Sequence, residues 1–193
     1  SKQLNAYDGI GAPWFNSFPS ADVFGVQLVY DWDQNSHGML LAVTDEGLVV
    51  FDGERWRRQE VEGLFDARYL AIEDSGRIWI GRIDDFGYLA TDDGAVWRYV
   101  SVSQGSAGVA SDWKGWRAAR AIGGSVFFCG DDGVVEWRDD RESAHWAWDG
   151  FVFDVFRIDS RTFMVTDSPV RVRLFEGGTT KKWPESFEII GFY

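Results

Sequence analysis

Two groups of side chains in this sequence could do chemistry. Arg82, Asp84 and Asp85 fall within four residues, directly after the apolar run Ile78-Trp79-Ile80-Gly81. A loop that follows a strand is where functional side chains concentrate, so these three are candidate ligand-binding residues. Trp14, Trp32, Trp113 and Trp116 form the second group. They lie near loops and out of step with the other tryptophans, and an indole face can stack on a sugar ring. Catalysis asks for more. The single cysteine, Cys129, sits in Val126-Phe127-Phe128-Cys129, the setting of a small buried apolar residue. A nucleophilic thiol needs a positive neighbourhood and a His partner. His37 and His145 are far apart and occupy turn-like stretches. No His/Asp/Glu cluster has metal spacing, and there is no phosphate loop or nucleophile motif. The expectation is a binding site, with no catalytic residue, no metal and no cofactor.

Composition narrows the partners. The chain of 193 residues has a net charge of −12. Nucleic acid and anionic membrane both require a basic footprint, which excludes them as expected partners. The acidity reads as a solvated surface, or as a site for a cation or a basic partner. No apolar run reaches the length of a membrane span, so no insertion by this segment is expected. The opening Ser1-Lys2-Gln3-Leu4-Asn5 lacks the apolar core of a signal peptide, which suits a cytosolic chain and a processed secreted one equally. Aromatics make up 17%, including 11 Trp, and there are 22 Gly. Large flat side chains favour strands, and that much glycine favours many tight turns.

The elements that must position these residues show in an internal repeat. Trp56, Trp97, Trp146 and Trp183 each follow a turn of acidic residues, mostly with glycine, at intervals of 41, 49 and 37 residues. An apolar strand precedes each Trp by 18 to 22 residues, starting at Gly38, Gly76, Gly124 and Arg161. Two independent markers therefore keep one phase. A third strand lies between them, at 47–51, 86–90, 133–137 and 170–174. A fourth precedes them, at 26–30, 67–72, 116–122 and 152–158. Four short strands in a unit of about 40 residues is the signature of a β-propeller blade. Asp45-Glu46-Gly47, Asp92-Asp93-Gly94 and Asp131-Asp132-Gly133 supply the positive φ that tight hairpins require. They lack the alternating ligands and closing Glu of a calcium loop, so they read as turn chemistry. The phased tryptophans read as packing between blades. The stretch 107–121 reads as a long loop.

The fold expected is all-β, a β-propeller or partial propeller of about four four-stranded blades plus the first strand of a fifth. The units run 1–25 (N-terminal extension), 26–61, 62–102, 103–148 and 149–186, with 187–193 opening a further blade or closing the ring. A closed four-bladed ring would be monomeric. An open stack would expose its end faces and could form a homodimer.

At this point the residues resemble a known family. The run Gly38 to Trp56, Arg68-Tyr69-Leu70-Ala71-Ile72-Glu73-Asp74-Ser75-Gly76-Arg77-Ile78-Trp79-Ile80-Gly81, and Asp85-Phe86-Gly87-Tyr88-Leu89 are similar to the sensor propellers of bacterial two-component regulators. Gly11-Ala12-Pro13-Trp14-Phe15 also looks like the start of such a region. The likeness covers residues 11–102, and the later units lack its Asp-x-x-Gly step. It implies a non-catalytic, periplasmic sensory region of a receptor whose kinase or cyclase output domain lies elsewhere. The ligand would be a small molecule, a glycan or a protein. A glycan-binding or glycan-cleaving propeller and a protein-interaction scaffold are the other readings.

Overall fold

The structure, a computed structural model, describes residues 19–92, 96–104, 106–158, 161–166, 171–176 and 179–182. Trp14, Trp183, the turn at 93–95 and the segment 187–193 lie outside the described residues. Blade 1 comprises β1 (Val29–Gln34), β2 (Leu40–Thr44), β3 (Gly47–Phe51) and β4 (Trp56–Gln59). A two-residue strand, β5 (Val61–Glu62), follows it. Blade 2 comprises β6 (Tyr69–Ile72), β7 (Ile78–Gly81), β8 (Phe86–Asp92) and β9 (Val96–Ser101). Blade 3 comprises β10 (Ala118–Ile122), β11 (Ser125–Cys129), β12 (Gly133–Arg138) and β13 (Arg141–Ala147). Blade 4 comprises β14 (Val152–Ile158), β15 (Arg161–Thr166), β16 (Arg171–Glu176) and β17 (Thr179–Lys182). Each blade is an antiparallel meander in chain order. The only helical pieces among the described residues are 3₁₀ turns at Ser20–Val23 and Val109–Ser111, the second inside the long loop expected there.

The first strands of successive blades pack side by side, β1 on β6, β6 on β10 and β10 on β14. This places them innermost, around a common axis, with the later strands stepping outward. The blades meet through apolar faces. Leu41, Val43 and Leu48 of blade 1 pack on Leu70, Ile72, Ile78 and Ile80 of blade 2. Blades 2 and 3 share an aromatic core of Trp79, Phe86, Phe128 and Trp137. There Phe86 stacks on Phe128 at 3.8 Å. The phased Trp97 and Trp146 border such clusters, and Trp56 packs on Ala42, Val49 and Val26.

Glycines permit the closest backbone approaches. A Cβ at Gly87 would lie 2.1 Å from the Val100 carbonyl oxygen, and one at Gly133 would lie 2.0 Å from that of Trp146. Both glycines begin the pairing of a third strand with its outer neighbour, where no other residue fits.

Two features depart from expectation. The opening strand of blade 1 runs from Val29 to Gln34, later than 26–30, and Val26 instead packs with Val23 against the outer face of blade 1. The unit boundary near Val61 also differs. β5 leaves blade 1 and adds in parallel to β9, with Val61 opposite Trp97, giving blade 2 a fifth strand. A strand edge exposes unpaired N–H and C=O groups, and this addition covers the outer edge of blade 2.

Candidate functional site

The innermost strands all begin at one end of the axis. There, four blades place four residues in equivalent positions. Tyr30 and Phe153 occupy the same irregularity in β1 and β14, immediately before Asp31 and Asp154. Arg68 and Arg117 immediately precede β6 and β10, and their N–H groups donate to the carbonyls of Gly81 and Cys129 at 2.9 and 2.7 Å. The mouth of the axial channel is therefore an arc of Tyr30, Arg68, Arg117 and Phe153.

Both arginines lie on aromatic rings and beside carboxylates. The Arg68 guanidinium sits 4.2 Å from the centre of the Tyr30 ring and donates to Asp66 at 2.7 Å. The Arg117 guanidinium sits 4.3 Å from the Phe151 ring and donates through Nε to Asp131 at 2.6 Å. Phe151 is in turn 6.5 Å from Phe153. Tyr69, the next residue after Arg68, packs against the core shared by blades 2 and 3. Burial raises its phenol pKa, Arg117 and Arg68 pull it back, and Asp31 and Asp131 push it up again.

Just inside the mouth, Arg120 ties three blades together. It donates to both carboxylate oxygens of Asp154, at 2.9 and 3.1 Å, and reaches Asp31 at 3.4 Å. A bidentate arrangement of this kind is among the stronger charge-assisted bonds. Asp31 and Asp33 also cap the free edge of β6, accepting from Leu70 N at 3.2 Å and Ile72 N at 2.8 Å. Burial raises the Asp31 pKa, against the lowering pull of Arg120. Burial opposes the charge on Arg120, but Asp154 and Asp31 outweigh it and its pKa is raised. Cys129, fully buried, has its thiol pKa pushed well up by that burial, the opposite of what a nucleophile needs.

A cleft of about 340 Å³ runs outward from the mouth between blades 1 and 2. Tyr30, Asp45, Gln59, Phe65, Asp66 and Arg68 give it its chemistry. Phe65 is 63% exposed.

The residues singled out from sequence take different places. Trp32 stands on β1 with its ring 65% exposed. Trp113 is half-buried, its ring edge-on to His145 at 5.8 Å. Trp116 is 1% exposed and edge-on to Phe86 at 5.0 Å. As a stacking platform it is corrected to core, because neither indole face reaches solvent. Arg82 and Asp85 are also buried. Asp85 accepts from Tyr99 at 3.0 Å, Ser101 at 2.9 Å and Ser103 at 2.5 Å. Burial first, then Asp85, drives the Tyr99 pKa up. The Arg82 guanidinium lies 3.7 Å under the Phe65 ring and 3.6 Å from Asp85. This buried pair fixes the β7–β8 turn. Asp84 remains exposed at its rim, 3.6 Å from Arg82. Sequence motifs do not point to Arg68, Tyr69, Arg117, Arg120, Asp31 or Asp154. Their signal is faint: Arg68 and Arg117 each precede an inner strand in the repeat phase.

Among the described residues no group of three or more His, Cys, Asp or Glu could hold a metal ion. None of their helices is long and apolar enough to cross a membrane.

The fold is that of a β-propeller, and known structures share it. The extracellular domain of a hybrid two-component system from B. thetaiotaomicron superposes with a TM-score of 0.61 at 15% identity, over 82% of this chain and 22% of that one. The WD40 propeller domain of Doa1 gives 0.62 at 10% identity, covering 80% of this chain and 53% of that one. A catalytically inactive virginiamycin B lyase from Staphylococcus aureus, solved with quinupristin, gives 0.62 at 9% identity, over 83% and 56%. This chain thus spans about a fifth to a half of the length of the structures it matches. No family model matches the chain, and no curated protein matches it by sequence.

Proposed function

We propose that this chain is a non-catalytic, ligand-binding propeller region of a bacterial signal-transduction receptor, lying outside the cytoplasm, in the periplasm. One observation carries the reading. Equivalent positions of all four blades meet at one end of the inner strands, where Arg120 already joins blades 1, 3 and 4, so a molecule bound there acts on how neighbouring blades are placed. Binding energy at that point biases the relative placement of the blades, which is what a sensor must do to pass a signal on. The buried Asp85 is engaged in structure by its three hydroxyl partners. The family resemblance of residues 11–102 and the propeller fold shared with an extracellular receptor domain support the same reading.

Thermal denaturation against a panel of saccharides and small metabolites tests it. A ligand at about 100 times its Kd stabilises by roughly 2.7 kcal/mol, a rise of several degrees in Tm. Substitution of Arg68 or Arg117 should abolish that rise. Cleavage of a polysaccharide by the purified chain would overturn the sensory reading in favour of a glycan-cleaving propeller.

Association belongs to the same proposal. Leu28, Val29 and Trp32 are exposed on blade 1, and Phe153 and Ile158 on blade 4. Exposed apolar side chains at both ends favour a homodimer. Light scattering at tens of micromolar checks this, and a dilution-stable monomer of 21.9 kDa counts against it.

A further inference from the structure

We infer that the cleft between blades 1 and 2 binds a small aromatic carboxylic acid, with its ring beside Ala67, in the place that Trp116 fills between blades 2 and 3, and its carboxylate on Arg68. The inference rests on the ligand-binding reading above and names the seat and the chemical class of the ligand.

Ala67 and Trp116 occupy equivalent positions in the repeat. Each precedes an arginine whose backbone N–H donates to the last residue of a second strand, Arg68 to Gly81 and Arg117 to Cys129. The chain reaches the two positions differently. It enters blade 3 through residues 102–117, and that loop carries Ala110 and Trp116 into the core between blades 2 and 3. There Trp116 meets Phe86 at the start of β8 and Phe128 of β11, at 5.0 and 6.5 Å. It enters β6 through 63–68 alone, and the equivalent residue is a half-buried alanine. Ala67 and the start of β3, Gly47 and Leu48, therefore wall an open cleft of about 340 Å³. That volume lies in the range of small-ligand pockets, roughly 300–1,000 Å³. One blade along, the fold displays the kind of group that fits such a groove, a flat aromatic ring.

The rest of the cleft suits the same ligand. Phe65 stands exposed, yet its ring rests at 3.7 Å on the guanidinium of the buried Arg82, which holds it in place as a stacking platform. The Arg68 guanidinium lies 4.2 Å from the centre of the Tyr30 ring and gives one terminal nitrogen to Asp66 at 2.7 Å. The Asp66 side chain is 57% exposed, and so solvated an ion pair contributes little, so a ligand carboxylate can join or replace it. A guanidinium has five N–H donors in a planar fork that matches a carboxylate. A cationic ligand has less to gain. Asp66 already has Arg68, and Asp45 accepts the backbone N–H groups of Gln27 and Leu28 at 3.2 and 3.3 Å.

Calorimetric titration of the intact chain with indole-3-acetate, indole and acetate separates the ring from the charge. Indole-3-acetate should bind about tenfold tighter, or more, than either of the others. Ala67→Trp supplies the missing indole from the chain itself. It should abolish indole-3-acetate binding and leave the Tm unchanged or higher. Ala67→Leu, a smaller plug, should weaken binding several-fold, and it decides the matter if the tryptophan variant does not fold. Arg68→Gln should lower indole-3-acetate affinity about tenfold and leave indole binding unchanged, a split that a merely structural role would not produce. Arg57→Gln, at a β4 ion pair outside the cleft, removes the same charge and should change nothing. Circular dichroism on each variant confirms that it is folded. Undiminished binding in folded Ala67 variants, equal affinity for indole and indole-3-acetate, or no binding of either at about 10 mM would overturn the inference. Saccharides or other metabolites that still raise the Tm would then leave the ligand-binding propeller standing, whereas no response to any of these compounds would remove both.

Discussion

Arg82 and Arg117 have the same company and opposite situations. Each lies against a phenylalanine ring, and each faces an aspartate. Arg82 is sealed in the β7–β8 turn, and its aspartate is consumed by three hydroxyl donors. Arg117 stands at the channel mouth, where its side chain and that of Asp131 are 37% and 40% exposed. Solvent makes the difference. A buried carboxylate needs its lone pairs satisfied, and Asp85, with three hydroxyl donors and the Arg82 charge 3.6 Å away, acts as a staple. A half-solvated pair is weak and replaceable, and it remains available to a ligand. The same contrast separates the dry aromatic interface of blades 2 and 3 from the open face of blade 1.

The largest test of that contrast sets Phe128 against Trp32. Phe128→Ala should cost about 3–5 kcal/mol, because it leaves a cavity among Phe86, Trp79 and Trp116. Trp32→Ala should stay within about 0.5 kcal/mol, since its ring is exposed. Urea denaturation measures both, and equal losses would break the comparison.

The aspartates come next. Asp85→Ala should destabilise by about 3–5 kcal/mol, leaving Arg82 with only the exposed Asp84 as counter-charge and three hydroxyl groups without their acceptor. Asp131→Ala should cost at most about 1 kcal/mol. Tm values under one buffer decide between them.

The pH dependence sharpens the comparison with the smallest effects. The Asp31 pKa is raised by burial, so the folded state keeps that proton to higher pH than the unfolded chain does. Between the usual carboxylate value and the raised one, stability should fall as pH rises. Asp31→Asn should flatten that limb. Asp52 is the opposite case. Backbone N–H groups of Arg55 and Glu54, then Arg57, lower its pKa to about 2. Its contribution is complete above the usual carboxylate range and is lost as pH falls towards about 2. Asp52→Asn should flatten only the acid limb. Urea midpoints from pH 2 to 7 read both slopes.

Much of the architecture was legible from local chemistry. Gly133 in its acidic turn, the apolar strand at 124–129 and Trp146 kept one phase, and the structure shows the hairpins and packed strands they imply. The apolar pattern favours 26–30, whereas the inner strand runs from Val29 to Gln34 and carries Asp31 and Asp33. Their partners are backbone N–H groups of the next blade, 39 residues away. Trp116 falls out of the repeat phase and near a loop, which points to a ligand-stacking ring, yet the long loop before β10 carries it into the core beside Phe86.

The sequence by itself determined the repeat, the strands and the turns, because these depend on alternation, glycine at positive φ and aromatic packing within about 40 residues. Only the tertiary structure decided which charges are sealed and which are open. Burial and pairing depend on which blades meet, and Arg120 reaches Asp31 across 89 positions of sequence. The channel mouth exists in no single repeat. It forms because rotation about a common axis brings the residue before Asp31, Tyr69, Ala118 and Asp154 to one place.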